Sequence, residues 1–535
     1  MSPFLQLRLW LREGPRAERQ LAGLAALIFA GVLVLALWPT GSTNSATLAG
    51  ADGTSSLPAL GSQSSAAAPA PTAAASALAT AGPTVVAGEP TPSSLTNPGG
   101  PPVAPPVTPT GPAAPATVAP THRGATAAPS SAATSAACAG RTASGPGVTA
   151  STVTVVTTNL SLAGPIGNSA FNVRTDLHAI AQAMADDINA KGGVACGRKI
   201  VLKQYDVNPL DSNDQQTKCL QIQQDAPLIV IDFGGYLTEA SRSCFQQAKI
   251  PMTSATPFGA AELKTGYVFG MRNVAEQAVH NGILGLAARG FFKAPGFTKL
   301  GLFEDACAPT VNTQIDKDLA SLGIKGSQVS KFTLDCSIAA QPNQIAQAVL
   351  QHHSDNVSHV FMATSATNEQ NYVRIAVGQS FHPHYGVSDY GESMTESGSS
   401  NFDSSYDGAV GITSSHMGEF FSGVSNPQLK ECDATMKRHG VPGFASEAKD
   451  TAVAGYCDLF WFFQAVVDKA GINPTRASLA PATATIGNLV TAYTGDGIFN
   501  RPGKITGGDF QRELMFHSDC GCWKIVDKSF GPGYA

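Results

Sequence analysis

From Val153 onward, short β-branched or apolar runs alternate with longer segments whose apolar residues recur every three or four positions. This alternation constrains the fold more than any other feature of the chain. Strands are predicted at Val153 to Thr157, Ile200 to Tyr205, Leu228 to Asp232, Lys299 to Phe303, Val329 to Leu334, His359 to Met362 and Ala409 to Thr413. Between them lie helical patterns at Ser212 to Gln224, Glu239 to Ala248, Glu276 to Arg289, Asn312 to Leu322, Asn343 to His352 and Asn368 to Gly378. Such order implies an α/β fold with parallel sheets covered by helices on both faces. Nearly 390 residues exceed one such sheet of ordinary size, so two lobes, each with its own core, and a cleft between them are expected.

The first unit shows the local logic. Leu177, Ile180, Ala181, Met184 and Ile188 share one face of a helix running from about Phe171 to Lys191, and Gly192-Gly193 ends it. The loop before it, with Ser161, Gly164, Gly167, Asn168 and Ser169, joins a strand's carboxyl end to a helix's amino end. Free N–H groups and the positive end of the helix dipole suit an anionic group there.

The amino-terminal part has a different character. Leu21 to Trp38 is uncharged and apolar, and at 1.5 Å per residue it covers about 27 Å of hydrocarbon. Arg8, Arg12, Arg16 and Arg19 precede it, which places residues 1–20 in the cytoplasm and the rest outside. A cleaved signal peptide is the alternative, but no convincing cleavage site follows, and the first cysteine is Cys138. Residues 39–147 are dominated by Ala, Pro, Ser, Thr and Gly and cannot build a core. About a hundred such residues form a tether with an r.m.s. span of roughly 50 to 60 Å. The expectation is a single-pass membrane protein whose folded domain, 148–535, is extracytoplasmic. A net charge of -5 without a basic cluster in that domain argues against a nucleic-acid partner.

Ala185-Asp186-Asp187-Ile188-Asn189-Ala190-Lys191-Gly192-Gly193, followed by Gly197-Arg198-Lys199-Ile200, resembles the leucine/isoleucine/valine-binding family of type I periplasmic binding proteins. Ile231-Asp232-Phe233-Gly234-Gly235, Ile250 to Thr256 and Leu302-Phe303-Glu304-Asp305-Ala306 are similar to later strands and cleft loops of that family. The resemblance implies two Rossmann-like lobes with parallel central sheets, at about 148–271 with 416–512, and 272–415 with 513–535. They would be joined by crossings near Gly270 to Arg272, Ser414 to Gly418 and Arg512 to Met515. It also implies a small-molecule solute held by lobe closure, with importer membrane subunits or a sensor as partners, and neither a cofactor nor catalysis. By matching positions the ligand residues would be Ser161, Ser169, Tyr236, Thr238, Ser254 and Thr256 of the first lobe, with Asp389 and Tyr390 of the second. Two positions depart from the family pattern: Cys307 replaces a common Tyr, and Ser388-Asp389-Tyr390-Gly391 replaces the turn whose acid meets an amino acid's ammonium. A ligand-sensing or ligand-free envelope protein on the same fold is the alternative.

Ten cysteines in an exported domain are expected to pair. Cys219 and Cys244 lie in successive predicted helices, as do Cys432 and Cys457, and Cys307 and Cys336 each follow a strand. Cys138 with Cys196 would pin the segment leading into the domain, leaving Cys520-Gly521-Cys522, which suits a small-loop disulfide, a redox couple or half a metal site. His352, His353, His359, His382 and His384 complete no metal-ligand spacing, with His382 and His384 expected to alternate along a short edge strand, and Leu459 to Phe463 reads as a helix buried all round. Neither a nucleophile elbow, a phosphate loop nor a zinc-protease motif occurs.

Overall fold

The computed structural model describes residues 138–161, 174–336, 341–399, 401–442 and 451–534. The apolar run Leu21 to Trp38, linker residues 39–137 and Ser169 lie outside the described residues. Among the described residues, no helix is long and apolar enough to cross a membrane.

The first sheet has four parallel strands, β1 (Thr152–Leu160), β2 (Lys199–Val207), β3 (Ile229–Phe233) and β4 (Met252–Ser254), in the order β2-β1-β3-β4. Side chains alternate across a strand, so Val153, Val155, Ile229 and Ile231 pack on one face while Val156 and Val230 pack on the other. The first face meets α1 (Leu177–Ala190) through Ile180, Met184 and Ile188. The second meets α2 (Ser212–Asp225) and α3 (Glu239–Gln247) through Ile222 and Phe245.

The second sheet contains β5 (Leu300–Asp305), β6 (Val329–Leu334), β7 (His359–Ala363), β8 (His384–Ser388) and β9 (Val410–Thr413). Around and between these run α4 (Ala275–Ala288), α5 (Pro309–Ser321), α6 (Gln341–Ser354) and α7 (Ala366–Gly378). The chain then returns to the first lobe as α8 (Pro427–Arg438), α9 (Thr451–Lys469) and α10 (Arg476–Thr483), followed by a small hairpin of β10 (Gly487–Leu489) and β11 (Gly497–Phe499). It ends in the second sheet as β12 (Phe510–His517), β13 (Cys522–Ile525) and β14 (Gly531–Pro532). The order is β13-β12-β9-β8-β7-β5-β6, with β14 on β12.

Three sequence expectations need correction. Arg512 to Met515 is not a crossing: these residues form β12 and pair antiparallel with Thr413 to Val410, so the third crossing precedes Phe510. His384 opens an interior strand between β7 and β9, not an edge strand. Residues 138–147, grouped with the linker on composition, are tied to the folded domain. Thr142 N donates to Asn473 Oδ1 at 2.9 Å, Ser144 Oγ donates to the Pro474 carbonyl at 2.6 Å, and the fully buried Arg198 guanidinium reaches the Thr142, Thr149 and Ala195 carbonyls at 3.0, 2.7 and 2.8 Å. Composition cannot register a segment held by one buried cation supplied from elsewhere.

The cysteines join as Cys138–Cys196, Cys219–Cys244, Cys307–Cys336, Cys432–Cys457 and Cys520–Cys522, with Cα separations of 5.2 to 6.4 Å that suit a disulfide. By loop-closure entropy the first four, with sequence separations of 25 to 58, each contribute about 3.5 to 4 kcal/mol, and the last, with a separation of 2, about 1.5 kcal/mol.

Where α4 crosses β8 and β9 the backbones approach closely. A Cβ on Gly282 would lie 2.6 Å from Ser388 Cβ, and one on Gly285 would lie 2.9 Å from two carbons of Ile412. The aromatic run of α9 fills the first core, with Leu459, Phe460, Phe462 and Phe463 fully buried. Phe460→Ala is expected to destabilise the domain by about 3 to 5 kcal/mol, through lost transfer energy and the cavity left behind. Denaturant unfolding measures it; a loss under about 1 kcal/mol would refute the packing described here.

Candidate solute cleft

In doubly wound sheets, ligand sites form beyond the carboxyl ends of the strands where the strand order reverses. Here those points lie between β1 and β3 in the first sheet and between β5 and β7 in the second. Asp232, near the end of β3, organises the first of them. Its fully buried carboxylate accepts from Thr158 Oγ1 at 2.7 Å, Gly235 N at 3.0 Å, Tyr236 N at 3.2 Å and Ser254 Oγ at 2.9 Å. Burial pushes this carboxyl up, while the hydroxyls of Thr158 and Ser254 pull it back. One acid therefore fixes the ends of β1, β3 and β4 together.

That arrangement decides what each expected ligand residue can offer. Ser254 has one hydroxyl proton, and Asp232 takes it. Its lone pairs accept from Thr256 N at 3.1 Å and from the Thr256 hydroxyl at 2.9 Å, so the Thr256 proton also points inward in this state. Ser254 thus positions Thr256 rather than donating outward. Tyr236 is buried in the second face of the sheet, edge-on to Phe245, and its hydroxyl donates to the Gln215 carbonyl at 2.8 Å, so that hydroxyl is turned into the core. Thr238 is exposed and caps α3, accepting from Ser241 N at 3.2 Å. The Ser161 backbone N–H donates to the Val207 carbonyl at 2.9 Å. At the amino end of α1, Arg174 holds Asp176 at 2.7 Å, so the dipole there already faces a carboxylate.

In the second lobe, Asp389 resembles Asp232. It is buried and accepts from Thr413 Oγ1, Ser414 N and Ser414 Oγ, each at 2.6 Å, which ties β8 to the end of β9. Its carboxylate is committed to the protein's own backbone and hydroxyls. Tyr390 is half-buried against the apolar face that includes Ile412 and Phe361. Asp305, at the end of β5, accepts from Thr364 Oγ1 at 2.7 Å, and burial pushes its carboxyl up to about 6.

The residues that join the two loop sets are Arg272 and Glu392. Arg272 lies in the first crossing and is nearly buried. Its guanidinium donates to the Ala255 carbonyl after β4 at 2.8 Å, to the Asp389 carbonyl after β8 at 3.2 Å, and to the Glu392 carboxylate. Glu392 adopts a left-handed backbone, φ 63°, and leaves 35% of its side chain exposed. Non-glycine residues in that region are uncommon and concentrate at functional sites. Sequence reasoning marked Arg272 only as a hinge residue and missed Glu392; an acid three positions after Asp389 in a Gly-Glu-Ser loop was the available signal.

The crossings are packed side by side. Gly270 N donates to the Ile505 carbonyl and Gly507 N to the Gly270 carbonyl, each at 3.0 Å, and a Cβ on Gly507 would strike the Met271 carbonyl oxygen at 2.2 Å. His416 in the second crossing bridges Glu419 Oε1 and Asp496 Oδ1, each at 2.9 Å, and Arg512 also reaches Glu419 Oε1 at 2.9 Å. The histidines considered as metal ligands lie elsewhere: His352 faces the Tyr372 hydroxyl at 2.6 Å, and His359 packs between Phe291 and His384.

Several solved structures share this fold. A fatty acid ABC transporter substrate-binding protein from Thermomonospora curvata is 16% identical with a TM-score of 0.55, covering 73% of this chain and 95% of its own. A possible leucine/isoleucine/valine-binding protein from Rhodopirellula baltica SH 1 is 14% identical with a TM-score of 0.54, covering 70% and 96%. A branched chain amino acid ABC transporter from Thermus thermophilus with bound valine is 13% identical with a TM-score of 0.54, covering 71% and 96%. No family model and no curated protein matches the sequence. The fold is that of the leucine/isoleucine/valine-binding, type I periplasmic binding proteins.

His416 gives the crossings a measurable pH dependence. Burial opposes its charge, but the hydrogen-bonded carboxylates of Asp496 and Glu419 outweigh burial and raise the imidazole to about 9. A group raised on folding stabilises fully below its ordinary value near 6.5 and loses that contribution as pH climbs through 9. Between pH 6 and pH 10 the wild type is expected to lose about 2 to 3 kcal/mol more than His416→Gln. Chemical denaturation at each pH reads the difference; parallel curves would show that the network does not hold the charged imidazole.

Proposed function

We propose that the chain is an extracytoplasmic solute-binding protein, tethered to the membrane by Leu21 to Trp38, that captures a small carboxylate-bearing, amino-acid-like solute by lobe closure, for an ABC-type importer. The observation that carries the reading is Arg272, whose guanidinium meets the loops after β4 and β8 at the carboxyl ends of two doubly wound sheets. The fold's neighbours include a structure with bound valine and a fatty acid transporter's binding protein, which supports solute capture without choosing the solute.

The residue chemistry favours a zwitterion. A desolvated ammonium needs a carboxylate. Asp389 already accepts three protein donors, whereas Glu392 is partly open and held by one guanidinium. A solute that inserted its carboxylate toward Arg272 and Thr256, and its ammonium toward Glu392, would exchange an internal ion pair for two external ones. Thr256 would turn its hydroxyl proton from Ser254 Oγ to that carboxylate, while Ser254 and Asp232 hold its loop in place. Ser161, Thr238 and Tyr390 would line the remainder, with Tyr236 supporting its loop from behind.

A ligand-free envelope protein is the second reading, and the same observation favours it: Arg272 and Glu392 already satisfy each other. Isothermal titration with matched pairs, such as leucine and its des-amino analogue 4-methylpentanoate, separates the two. Binding of the amino acid is expected, at least about tenfold weaker in Thr256→Val. Glu392→Gln should weaken the amino acid by a similar factor while leaving the des-amino acid nearly unchanged. Silence from amino acids, amides, ureas and short carboxylates alike would sink solute capture.

A further inference from the structure

The five disulfides differ in what they do for the fold. Four join elements far apart in sequence: Cys219–Cys244 links α2 to α3, Cys432–Cys457 links α8 to α9, Cys138–Cys196 pins the segment leading into the domain, and Cys307–Cys336 joins the loops after β5 and β6. Cys520–Cys522 spans a single glycine. It sits at the tip of the β12–β13 hairpin, whose backbone register from Leu514↔Ile525 to His517↔Cys522 holds the strands together without it. Closing so short a loop removes little chain entropy, so this bond has the least thermodynamic protection against reduction of the five.

Its two sulfurs are also unequal. Cys520 is exposed, whereas Cys522 is buried at 1% exposure in the sheet. An incoming thiolate can therefore reach one sulfur and not the other. Cys520 Sγ lies 3.5 Å from the His517 carbonyl oxygen and 3.9 Å from that of Cys522.

We propose that Cys520–Cys522 is an exchange-active disulfide that oxidises external thiols in the extracytoplasmic space. A thiolate attacks Cys520 Sγ, forming a mixed disulfide, and the S–S bond breaks with Cys522 leaving as a thiolate that takes a proton from solvent. A second external thiolate then attacks the external sulfur of the mixed disulfide, releasing Cys520 as thiolate and an oxidised external disulfide. The sum is two external thiols oxidised and one protein disulfide reduced to the dithiol, a two-electron exchange that requires no further reactant. Cys522 attacking back on Cys520 is the reverse step, so a single transient thiol is returned unchanged.

Cys307–Cys336 supplies the internal control, because both of its cysteines are exposed but its sequence separation is 29. The oxidised full chain is equilibrated in reduced and oxidised glutathione buffers, quenched with acid, and its cysteines mapped by differential alkylation and mass spectrometry. Cys520–Cys522 is expected to reach half-reduction at a ratio of squared reduced to oxidised glutathione at least about tenfold below that of Cys307–Cys336, with far-UV circular dichroism unchanged. Glutathione should accumulate on Cys520 in Cys522→Ser, and at least about tenfold more slowly on Cys522 in Cys520→Ser. Reduction of Cys520–Cys522 together with or after Cys307–Cys336 overturns the proposal, as does equal labelling of the two variants. Should either variant misfold, the wild-type titration alone decides.

Discussion

The structure depends on two buried aspartates, Asp232 near the end of β3 in the first sheet and Asp389 just after β8 in the second. A carboxylate removed from water must be matched by donors, or its burial costs several kcal/mol. Asp232 meets that requirement with two backbone N–H groups and two hydroxyls from β1 and β4, and Asp389 with one N–H and two hydroxyls from the end of β9. Each acid thereby converts independent strand ends into one rigid rim. Because the donors are loop N–H groups and hydroxyls, the same requirement fixes the loops that face the cleft.

This constraint also redistributes chemistry among the cleft residues. A hydroxyl that satisfies a buried carboxylate cannot donate its single proton elsewhere, so Ser254 and Ser414 act as positioning groups, and the Thr256 hydroxyl, one step outward, is tied to Ser254 by a single bond between hydroxyls. An acid already saturated by donors has little to offer an ammonium, which moves attention from Asp389 to Glu392. The left-handed backbone at Glu392 is consistent with strain retained where geometry matters more than local stability. Arg272 then neutralises an acid that the two rims leave partly open.

Alternation and periodicity made most of the architecture legible: β1, α1, β2, α2, β3 and α3 fall within a few residues of the predicted runs, because parallel strands buried on both faces must be apolar and their covering helices amphipathic. The helix predicted from Phe171 begins at Leu177, since a shared apolar face marks a helix's middle and not its first turn. The interior position of β8 and the β12 pairing were not legible, as strand order across a sheet leaves no trace in one strand's composition. The candidate site was legible by loop and illegible by side chain. Ser254, Tyr236 and Asp389 stand in the loops or strand ends expected of them, yet which way each hydrogen bond runs depends on Asp232, Gln215 and Ser414, and sequence spacing carries no direction.

The covalent bonds divide along the same line as the carboxylates. Cys138–Cys196, Cys219–Cys244 and Cys432–Cys457 all lie in the part built on the first sheet, while Cys307–Cys336 and Cys520–Cys522 lie in the part built on the second. None joins one part to the other. Among the described residues three crossings run between them, held by backbone pairs such as Gly270 with Ile505 and Gly507, by Arg272, and by the His416 network. Cross-links within each body raise its stability without opposing rotation of one body against the other. The cited bonds that span the bodies are polar and exchangeable, the division that the proposed lobe closure would require.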